Sequence, residues 1–387
     1  ILTKYCSPTE IAVADINKTD GLPETVRLIC GENYQKSLDD FDLVFKSPGI
    51  VLEKHPAELK CLITSETQVF FEVYREQIIG ISGTKGKSTV TSLIYHLLKE
   101  NGKDCRIAGN IGIPVFDIAE SMTESTIVVC ELSCHQLEYM TVSPETAVFL
   151  NLFEEHLDHY GNMERYYNSK KNIYLYQKKH DCLLINHDIA PENSPELLQY
   201  IYTISAENPS ARIYVHDGII KYNDESYKIL TDKMKLLGIH NHYNIAASWF
   251  IASFYLKPEQ IESALCTFNP LAHRLEFVDE INGVKYYDDS ISTACATAIE
   301  ALKSVPNAGT ILIGGMDRGI DYTSLVDYLK TSDINVICME TSGKRIYEMI
   351  KDLPNSYYDP HLEDAVKLAS EITSSGKSCV MSPASAS

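Results

Sequence analysis

The chain has no C-x-x-C pair, although it contains eleven cysteines. Several of them, including Cys130, Cys182, Cys266 and Cys338, lie inside apolar runs. Free cysteines in such runs behave as small buried hydrophobic residues. The pattern therefore argues against a disulfide framework or a zinc ribbon, and it predicts reduced, mostly buried thiols in a cytosolic protein.

Basic side chains are scarce. The chain has 34 Lys and Arg against 53 Asp and Glu, which gives a formal net charge of −19. Nucleic acids and anionic membranes both require clustered positive charge, so we expect neither as a partner. Any phosphate-binding site must therefore be locally positive, because the negative net charge of the whole protein repels phosphate.

Long apolar runs are also missing. A membrane-spanning helix needs roughly 18 apolar residues, and the longest candidate here, residues 245–256, is shorter and contains two serines. We interpret it as a buried helix and expect no membrane insertion. The chain starts at Ile1 without a basic segment leading into an apolar one, so we expect no signal peptide, a cytoplasmic location and a chain that is a fragment.

Short β-rich runs alternate with helical patterns along the 387 residues, which predicts an α/β protein with parallel sheets and crossover helices. The predicted strands are 10–15, 43–46, 77–82, 127–132, 146–153, 182–186, 309–313, 335–339 and 377–381. Segment 187–237 is rich in Pro, Asn, Asp and Tyr, and we interpret it as a small hairpin-bearing insertion with strands near 211–215 and 227–230. The length and the turn signals predict three domains: 1–76, 77–271 and 272–387.

The most informative stretch is a glycine-rich turn that follows an apolar strand and opens a helical segment. It provides backbone N–H groups for phosphate oxygens, a mobile cation in Lys87 and a hydroxyl for Mg²⁺ in Ser88 or Thr89. ATP or GTP is the implied ligand. A strict Walker pattern would have glycine at position 81, which is Ile81 here. The predicted phosphate-loop residues are Gly83, Thr84, Lys85, Gly86, Lys87, Ser88 and Thr89.

Acidic and imidazole side chains follow two of the predicted strands. Glu131 ends the run 127–132, where a carboxylate beside a phosphate loop can bind a nucleotide-associated Mg²⁺. After strand 146–153 the chain reads Glu154-Glu155-His156-Leu157-Asp158-His159. A single histidine there would more often be structural, but this density of ionisable groups favours a site. Downstream, Lys170 and Lys171 could equally form a solvated helix face.

The order of these motifs resembles the Mur ligases over nearly the whole chain, and within them the branch that adds D-glutamate. The resemblance implies a partial Rossmann-like first domain, a central P-loop ATPase-type sheet with a small β insertion, and a Rossmann-like C-terminal domain. The motifs are the phosphate loop, Gly109-Asn110-Ile111-Gly112, Glu131-Leu132-Ser133-x-x-Gln136, Glu155-His156-Leu157-Asp158, Lys170, His240-Asn241-x-x-Asn244, His273-Arg274-x-Glu276, Asp289-Ser290, Gly314-Gly315-x-Asp317-Arg318 and the tail Ser382 to Ser387.

The activity implied is an ADP-forming ligation of D-glutamate to UDP-N-acetylmuramoyl-L-alanine in peptidoglycan synthesis, by a monomer. The implied catalytic residues are Lys87, His156 and Lys170, the last carrying a carbamate derived from CO₂. Two Mg²⁺ ions would be bound by Ser88, Thr89, Glu131, His156 and Lys170. Besides the phosphate loop, the implied ATP contacts are Asn241, Asn244, Arg274 and Asp289. The implied uridine-substrate contacts are Asp15, Ser47, Pro48, Gly49, Asn110, Ser133, Gln136 and His159. The implied D-glutamate contacts are Thr293, Arg318 and Ser387.

The chain departs from the family pattern in three places. Many members have Asp-Ser-Lys-Ala-Thr where this chain has Asp289-Ser290-Ile291-Ser292-Thr293, so a lysine is missing at Ile291. We interpret that difference as variation, not as loss of activity. The sequence lacks the family's first strand and glycine turn at its start, and it stops at Ser387. We therefore expect truncation at both ends.

Two other interpretations remain open at the level of the sequence. One is a related ligase that adds a different amino acid to the muramoyl peptide, or a folylpolyglutamate synthase. The latter typically has Gly-Lys-Gly-Ser where this chain has Gly86-Lys87-Ser88-Thr89. The other is a non-catalytic ATP-binding scaffold, which would have no need of Lys87, Glu131, His156 and Lys170 together.

Overall fold

The computed structural model describes residues 11–191, 198–229 and 233–385. It confirms the predicted α/β architecture with mostly parallel sheets. The N-terminal part contains two short parallel strand pairs. They are β1 (Ile11–Asp15) with β2 (Val26–Cys30), and β3 (Leu43–Phe45) with β4 (Leu62–Thr64).

A nine-stranded sheet forms the centre of the molecule, in the order β13-β12-β11-β10-β9-β8-β5-β7-β6. Its strands are β5 (Ile78–Ser82), β6 (Cys105–Gly109), β7 (Ile127–Glu131), β8 (Thr146–Phe149), β9 (Cys182–Asn186), β10 (Tyr200–Ser205), β11 (Ile213–His216), β12 (Ile219–Tyr222) and β13 (Glu225–Lys228). Strands β11, β12 and β13 pair antiparallel, which confirms the predicted hairpins. They continue the central sheet at its edge.

Helices cover both faces of this sheet. All five residues of its central strand β5 are therefore buried, and the strand is apolar without alternation as far as Ile81. The helices of this part are α1 (Glu66–Tyr74), α2 (Lys87–Glu100), α3 (Val115–Ala119), α4 (Cys134–Leu137), α5 (Leu157–Tyr160), α6 (Met163–Lys171), α7 (His240–Ala252) and α8 (Pro258–Thr267). Ile79 and Ile81 face the core shared with α2, α7 and α8, whereas Ile78 faces the core shared with α1.

Two sequence interpretations concern these helices. The apolar segment 245–256 includes most of α7, and its residues from Ile245 to Ala252 are buried, as predicted. No helix in the described ranges is both long and apolar enough to span a membrane. The predicted boundary between the first two domains lies at residue 76. Phe70 and Phe71 of α1 belong to the predicted first domain, yet they are fully buried against the central sheet. The division into three domains stays a prediction.

The C-terminal part is a six-stranded sheet in the order β14-β15-β19-β16-β17-β18. Its elements are β14 (Glu276–Ile281), β15 (Val284–Asp288), α9 (Cys295–Ser304), β16 (Ala308–Ile313), α10 (Thr323–Lys330), β17 (Asn335–Cys338), α11 (Glu340–Ile350), β18 (Ser356–Tyr358), α12 (Leu362–Ile372) and β19 (Ser378–Met381). Strands β15, β19 and β16 are parallel neighbours, so their carboxyl ends meet at one edge.

Candidate active site

The phosphate loop joins β5 to α2 between the two strands that carry the acidic motifs, since β5 pairs with β7 on one side and β8 on the other. The N–H groups of Thr84 and Lys85 donate to Asn151 Oδ1 at 3.0 and 2.8 Å. Gly86 has φ +84°, a left-handed conformation that favours glycine. The loop thus stands at the carboxyl edge of the sheet, the usual ligand position in open α/β sheets.

Two lysine amines converge on one carbonyl oxygen of this loop. Lys87 Nζ donates to Gly83 O at 3.1 Å, and Lys170 Nζ donates to the same oxygen at 2.8 Å. Lys170 is only 1% exposed, so a solvated helix face is the wrong interpretation for this residue. Burial lowers the pKa of Lys87, and burial together with the charge of Lys87 lowers the pKa of Lys170 to about 8. The neighbouring Lys171 instead lies over the Tyr167 ring.

Glu131 ends β7 beside the loop and is 1% exposed. Its Oε1 accepts a hydrogen bond from Asn110 Nδ2 at 2.7 Å, whereas Oε2 has no hydrogen-bond partner among the described residues. A buried, unpaired carboxylate oxygen is costly unless a cation compensates it. Ser88 and Thr89 lie in the first turn of α2 and are partly buried. The arrangement fits a hard divalent cation, which prefers oxygen ligands.

Three imidazoles cluster next to the loop. The centroid of the His135 ring lies 5.0 Å from the centroid of the His156 ring and 4.5 Å from that of the His159 ring. His159 Nε2 lies 3.4 Å from Glu138 Oε2. Burial lowers the pKa of His135, and the neighbouring His159 and His156 lower it further. Sequence reasoning missed His135, because its place beside the other two depends on short helices that follow different strands.

The predicted uridine-substrate residues come from two parts of the chain that meet at Glu138. Lys46 Nζ donates to Pro48 O at 3.1 Å and to Ser47 O at 3.3 Å, and lies 3.5 Å from Glu138 Oε2. This buried lysine, also missed from the sequence, brings the exposed segment 47–49 to the end of α4.

The other predicted residues of this group have local partners. Ser133 and Gln136 form a capping box, in which Gln136 N donates to Ser133 Oγ at 3.2 Å. A small cavity nearby is lined by Lys46, Pro48 and Gln136, among others. Asp15 lies at the end of β1, where its carboxylate accepts the Asn17 N–H. Within the described ranges, no hydrogen bond joins Asp15 to the other predicted substrate residues.

Two asparagines of α7 lie against the phosphate loop. Asn244 Nδ2 donates to Asn241 Oδ1 at 2.8 Å, and both residues are buried. A Cβ atom at Gly86 would be 2.6 Å from Asn244 Oδ1, so the loop and the helix are in close contact. The structure thereby joins two motifs that are far apart in the sequence.

The C-terminal sheet presents Asp289 and Arg274 at its carboxyl edge. Asp289 is 5% exposed; its Oδ2 accepts from Ser382 Oγ at 2.7 Å and its Oδ1 accepts from Leu275 N at 3.2 Å. Burial raises the pKa of Asp289. Arg274 is exposed, and its guanidinium makes no hydrogen bond or ion pair within the described part of the chain.

The predicted amino-acid pocket is only partly described. Arg318 and Thr293 are exposed, and Ser387 lies outside the described residues. Asp317 pairs with Arg345, a residue that sequence reasoning missed, and accepts the Gly319 N–H at 2.9 Å. Asp321 is bound to Thr323. Neither acid forms an ion pair with Arg318, which argues against the alternative that Arg318 only neutralises them.

Comparison with known proteins adds independent information. The family described as Mur ligase middle domain matches residues 81–252. The chain is 32% identical over 410 residues to UDP-N-acetylmuramoylalanine–D-glutamate ligase from Ruminiclostridium cellulolyticum, covering 100% of this chain and 87% of that protein. Identity to the ligase of the same name from Clostridium acetobutylicum is 35% over 406 residues, with the same coverage. The chain belongs to the Mur ligase family.

Solved structures of Mur ligases share its fold. UDP-N-acetylmuramoyl-L-alanyl-D-glutamate–2,6-diaminopimelate ligase matches with a TM-score of 0.63 at 17% identity, covering 97% of this chain and 89% of that one. The MurF ligase from Thermotoga maritima in complex with ADP matches with a TM-score of 0.62 at 18% identity, covering 97% and 84%. At such identities the likeness concerns the fold alone. The family predicted from the motifs is confirmed by the family match and by the relatives at 32% and 35% identity.

Proposed function

We propose that this Mur ligase joins D-glutamate to UDP-N-acetylmuramoyl-L-alanine in an ATP-dependent reaction of peptidoglycan synthesis. The observation that carries the ATP chemistry is the convergence of Lys87 and Lys170 on Gly83 O, beside the unpaired carboxylate oxygen of Glu131. The choice of D-glutamate rests on relatives of that name, which are 32% and 35% identical over the full length of this chain.

The phosphate loop binds the β- and γ-phosphates of ATP through its backbone N–H groups and Lys87. The ammonium of Lys87 offsets negative charge on the transferred phosphoryl oxygens. Asn241 and Asn244 contact the nucleotide from α7, and Arg274 and Asp289 contact it from the C-terminal sheet. The close contact between Gly86 and Asn244 supports the contribution of α7.

Two Mg²⁺ ions fit the donor set around the loop. Glu131 and the hydroxyl of Ser88 or Thr89 would hold one, and His156 with a modified Lys170 would hold the other. When bound, these ions supply positive charge that stabilises phosphoryl transfer. The buried Oε2 of Glu131, which lacks a protein partner among the described residues, is the observation that supports a cation here.

Lys170 carries a carbamate in this proposal. The ammonium first loses a proton. The neutral amine then attacks CO₂, one C=O π bond opens as the N–C bond forms, and a second proton leaves the nitrogen, so a cation becomes an anionic oxygen ligand. A pKa of about 8 leaves roughly a tenth of the amine neutral at pH 7, so the reactive form is accessible. A bare ammonium in the same place would repel Mg²⁺.

The reaction then needs two substrates to meet at the loop. Segment 47–49 with Asn110, Ser133, Gln136 and His159 binds the uridine nucleotide. Its alanyl carboxylate attacks the γ-phosphorus of ATP, the bond from that phosphorus to the β–γ bridging oxygen breaks, and ADP leaves as an acyl phosphate forms. Arg318 and Thr293 bind the D-glutamate carboxylates. The D-glutamate amine attacks the acyl carbonyl, and phosphate leaves from the tetrahedral intermediate.

A panel of amino acids tests this assignment. Phosphate release from ATP is measured with UDP-N-acetylmuramoyl-L-alanine and, in turn, D-glutamate, L-glutamate, L-lysine, D-alanyl-D-alanine or meso-diaminopimelate. We expect turnover with D-glutamate only, and none in a Lys87→Ala control. Turnover with a different amino acid would assign the chain to another branch of the family, and ATP binding without any turnover would favour a scaffold.

A further inference from the structure

Arg274 lies between two residues with unusual backbone conformations. His273 has φ +63° and Leu275 has φ +48°, both in the left-handed region that side-chain-bearing residues rarely adopt. Conformations of this kind persist only where the surroundings hold them, and they often mark functional positions. The turn that carries Arg274 is therefore held in place by its neighbours.

Two consecutive acids at the end of β15 hold this turn at two points: Asp288 is the last residue of the strand and Asp289 follows it. Asp288 lies with Oδ2 2.7 Å from His273 Nδ1. Asp289 accepts the Leu275 N–H. The two carboxylates therefore bind the residues on either side of Arg274 in the chain, His273 and Leu275.

A third acid completes the arrangement. Glu276 Oε2 accepts the His273 N–H at 2.8 Å. Ligand atoms of His273, Glu276 and Asp288 lie within 4.8 Å of one another, a spacing that a metal ion could also use. The hydrogen bonds among these three residues already account for that spacing, so it gives no support for a metal site.

All of these contacts act on residues beside Arg274. None is a hydrogen bond or ion pair of its guanidinium, whose charge interacts with Asp289 only electrostatically. Arg274 is exposed and bonds only through its backbone N–H, to Leu271 O at 3.2 Å, within the described ranges. We propose that Asp288, through its 2.7 Å contact with His273, is a positioning residue that fixes the turn and presents Arg274 to the bound nucleotide. This inference rests on the proposed function, because it takes the ligand of Arg274 to be ATP.

The decisive experiment is a double-mutant cycle between Asp288 and Arg274. Asp288→Ala is expected to raise the KM for ATP and the Kd for ADP by about tenfold, while the KM values for D-glutamate and the uridine nucleotide change less than about twofold. In an Arg274→Ala background, Asp288→Ala should add less than about twofold, because its effect passes through the missing guanidinium. Asp288→Asn, which keeps an acceptor for His273, should recover part of the affinity.

The matched control is Glu348→Gln, which removes the charge of an exposed ion pair with Lys351 elsewhere in the same sheet unit. It should change none of these constants. Multiplicative effects of Asp288→Ala and Arg274→Ala, a common rise of all KM values, or an unchanged ADP Kd in Arg274→Ala would each overturn the inference. ADP binding is measured without turnover, so failure of the proposed ligase reaction would appear separately, as missing phosphate release in the wild type.

Discussion

At the scale of single residues, burial gives the candidate site its chemistry. Lys170 and Glu131 are each 1% exposed, and both lie beside the phosphate loop. Ionised groups are rarely buried without a partner or a function, because removing them from water is costly. Their positions therefore support roles in catalysis and metal binding better than a role in stability.

Lys170 gives the first prediction. Lys170→Ala should reduce kcat by about 10²–10³-fold, because it removes the proposed carbamate, an anionic ligand, from the charge-stabilising site. Added formate or acetate should restore part of the activity by occupying the place of the carbamate. The matched control is Lys171→Ala on the same helix, which should stay within about twofold. Full activity of Lys170→Ala without additives would refute the role.

Glu131 gives a prediction in which activity and stability move in different directions. Glu131→Gln keeps an acceptor for Asn110 but removes a buried charge, so the metal-free variant should melt at the same or a higher temperature. Its turnover should fall sharply and recover in part at high Mg²⁺ or with Mn²⁺. Glu72→Gln, which changes an acid of α1 that accepts a hydrogen bond from Gln68, serves as the control. A large loss of stability in Glu131→Gln would instead indicate a structural role.

At the scale of elements, strand ends and the loops that follow them set the positions of the site residues. The loop after β16 is fixed on one side by Gly314 N donating to Pro383 O at 2.9 Å, and on the other by the pair of Asp317 with Arg345. Arg345 also contacts the Tyr322 ring. These contacts hold the backbone around Arg318 while its side chain stays exposed.

Arg318 is accordingly expected to determine the affinity for D-glutamate. A guanidinium binds a carboxylate through two parallel charge-assisted hydrogen bonds, and removing such a contact costs about 2 kcal/mol or more, roughly 30-fold in binding. Arg318→Ala should raise the KM for D-glutamate by about that factor and leave the KM values for ATP and the uridine nucleotide nearly unchanged. Lys330→Ala, an exposed lysine of α10, is the control. If all three KM values rose together, the pocket assignment would be wrong.

At the scale of the whole molecule, the proposed ligands are shared between parts of the chain that fold as separate sheets. The phosphate loop and Asn244 belong to the central sheet, whereas Arg274 and Arg318 belong to the C-terminal one. Site residues split in this way commonly come together by domain closure, which also excludes water from a reactive intermediate.

Closure is therefore expected when ligands bind. The radius of gyration from small-angle X-ray scattering should fall when an ATP analogue and the uridine substrate are added together, and should change less with either alone. The Arg274→Ala variant, which lacks the proposed contact from the C-terminal sheet, should compact less. Scattering curves that are identical with and without both ligands would contradict the expectation.

The sequence by itself determined the phosphate loop, the α/β class and the family. These follow from local signals: a glycine turn between an apolar strand and a helix, and motifs in a fixed order. The buried helix predicted at 245–256 was predictable for the same reason as far as Ala252, where the observed helix ends. Strands β14 and β18 were not, because β14 is largely exposed and β18 has only three residues, so neither produces a clear apolar run.

Tertiary structure alone decided which residues of those motifs touch. Lys46, His135 and Arg345 became visible only because segments that follow different strands converge, and sequence spacing does not encode that convergence. It also decided between the two interpretations of Lys170, since a lysine pattern on a helix looks the same whether one side chain faces water or a buried carbonyl. Burial depends on what the rest of the chain packs against a position, and that packing is a property of the complete fold.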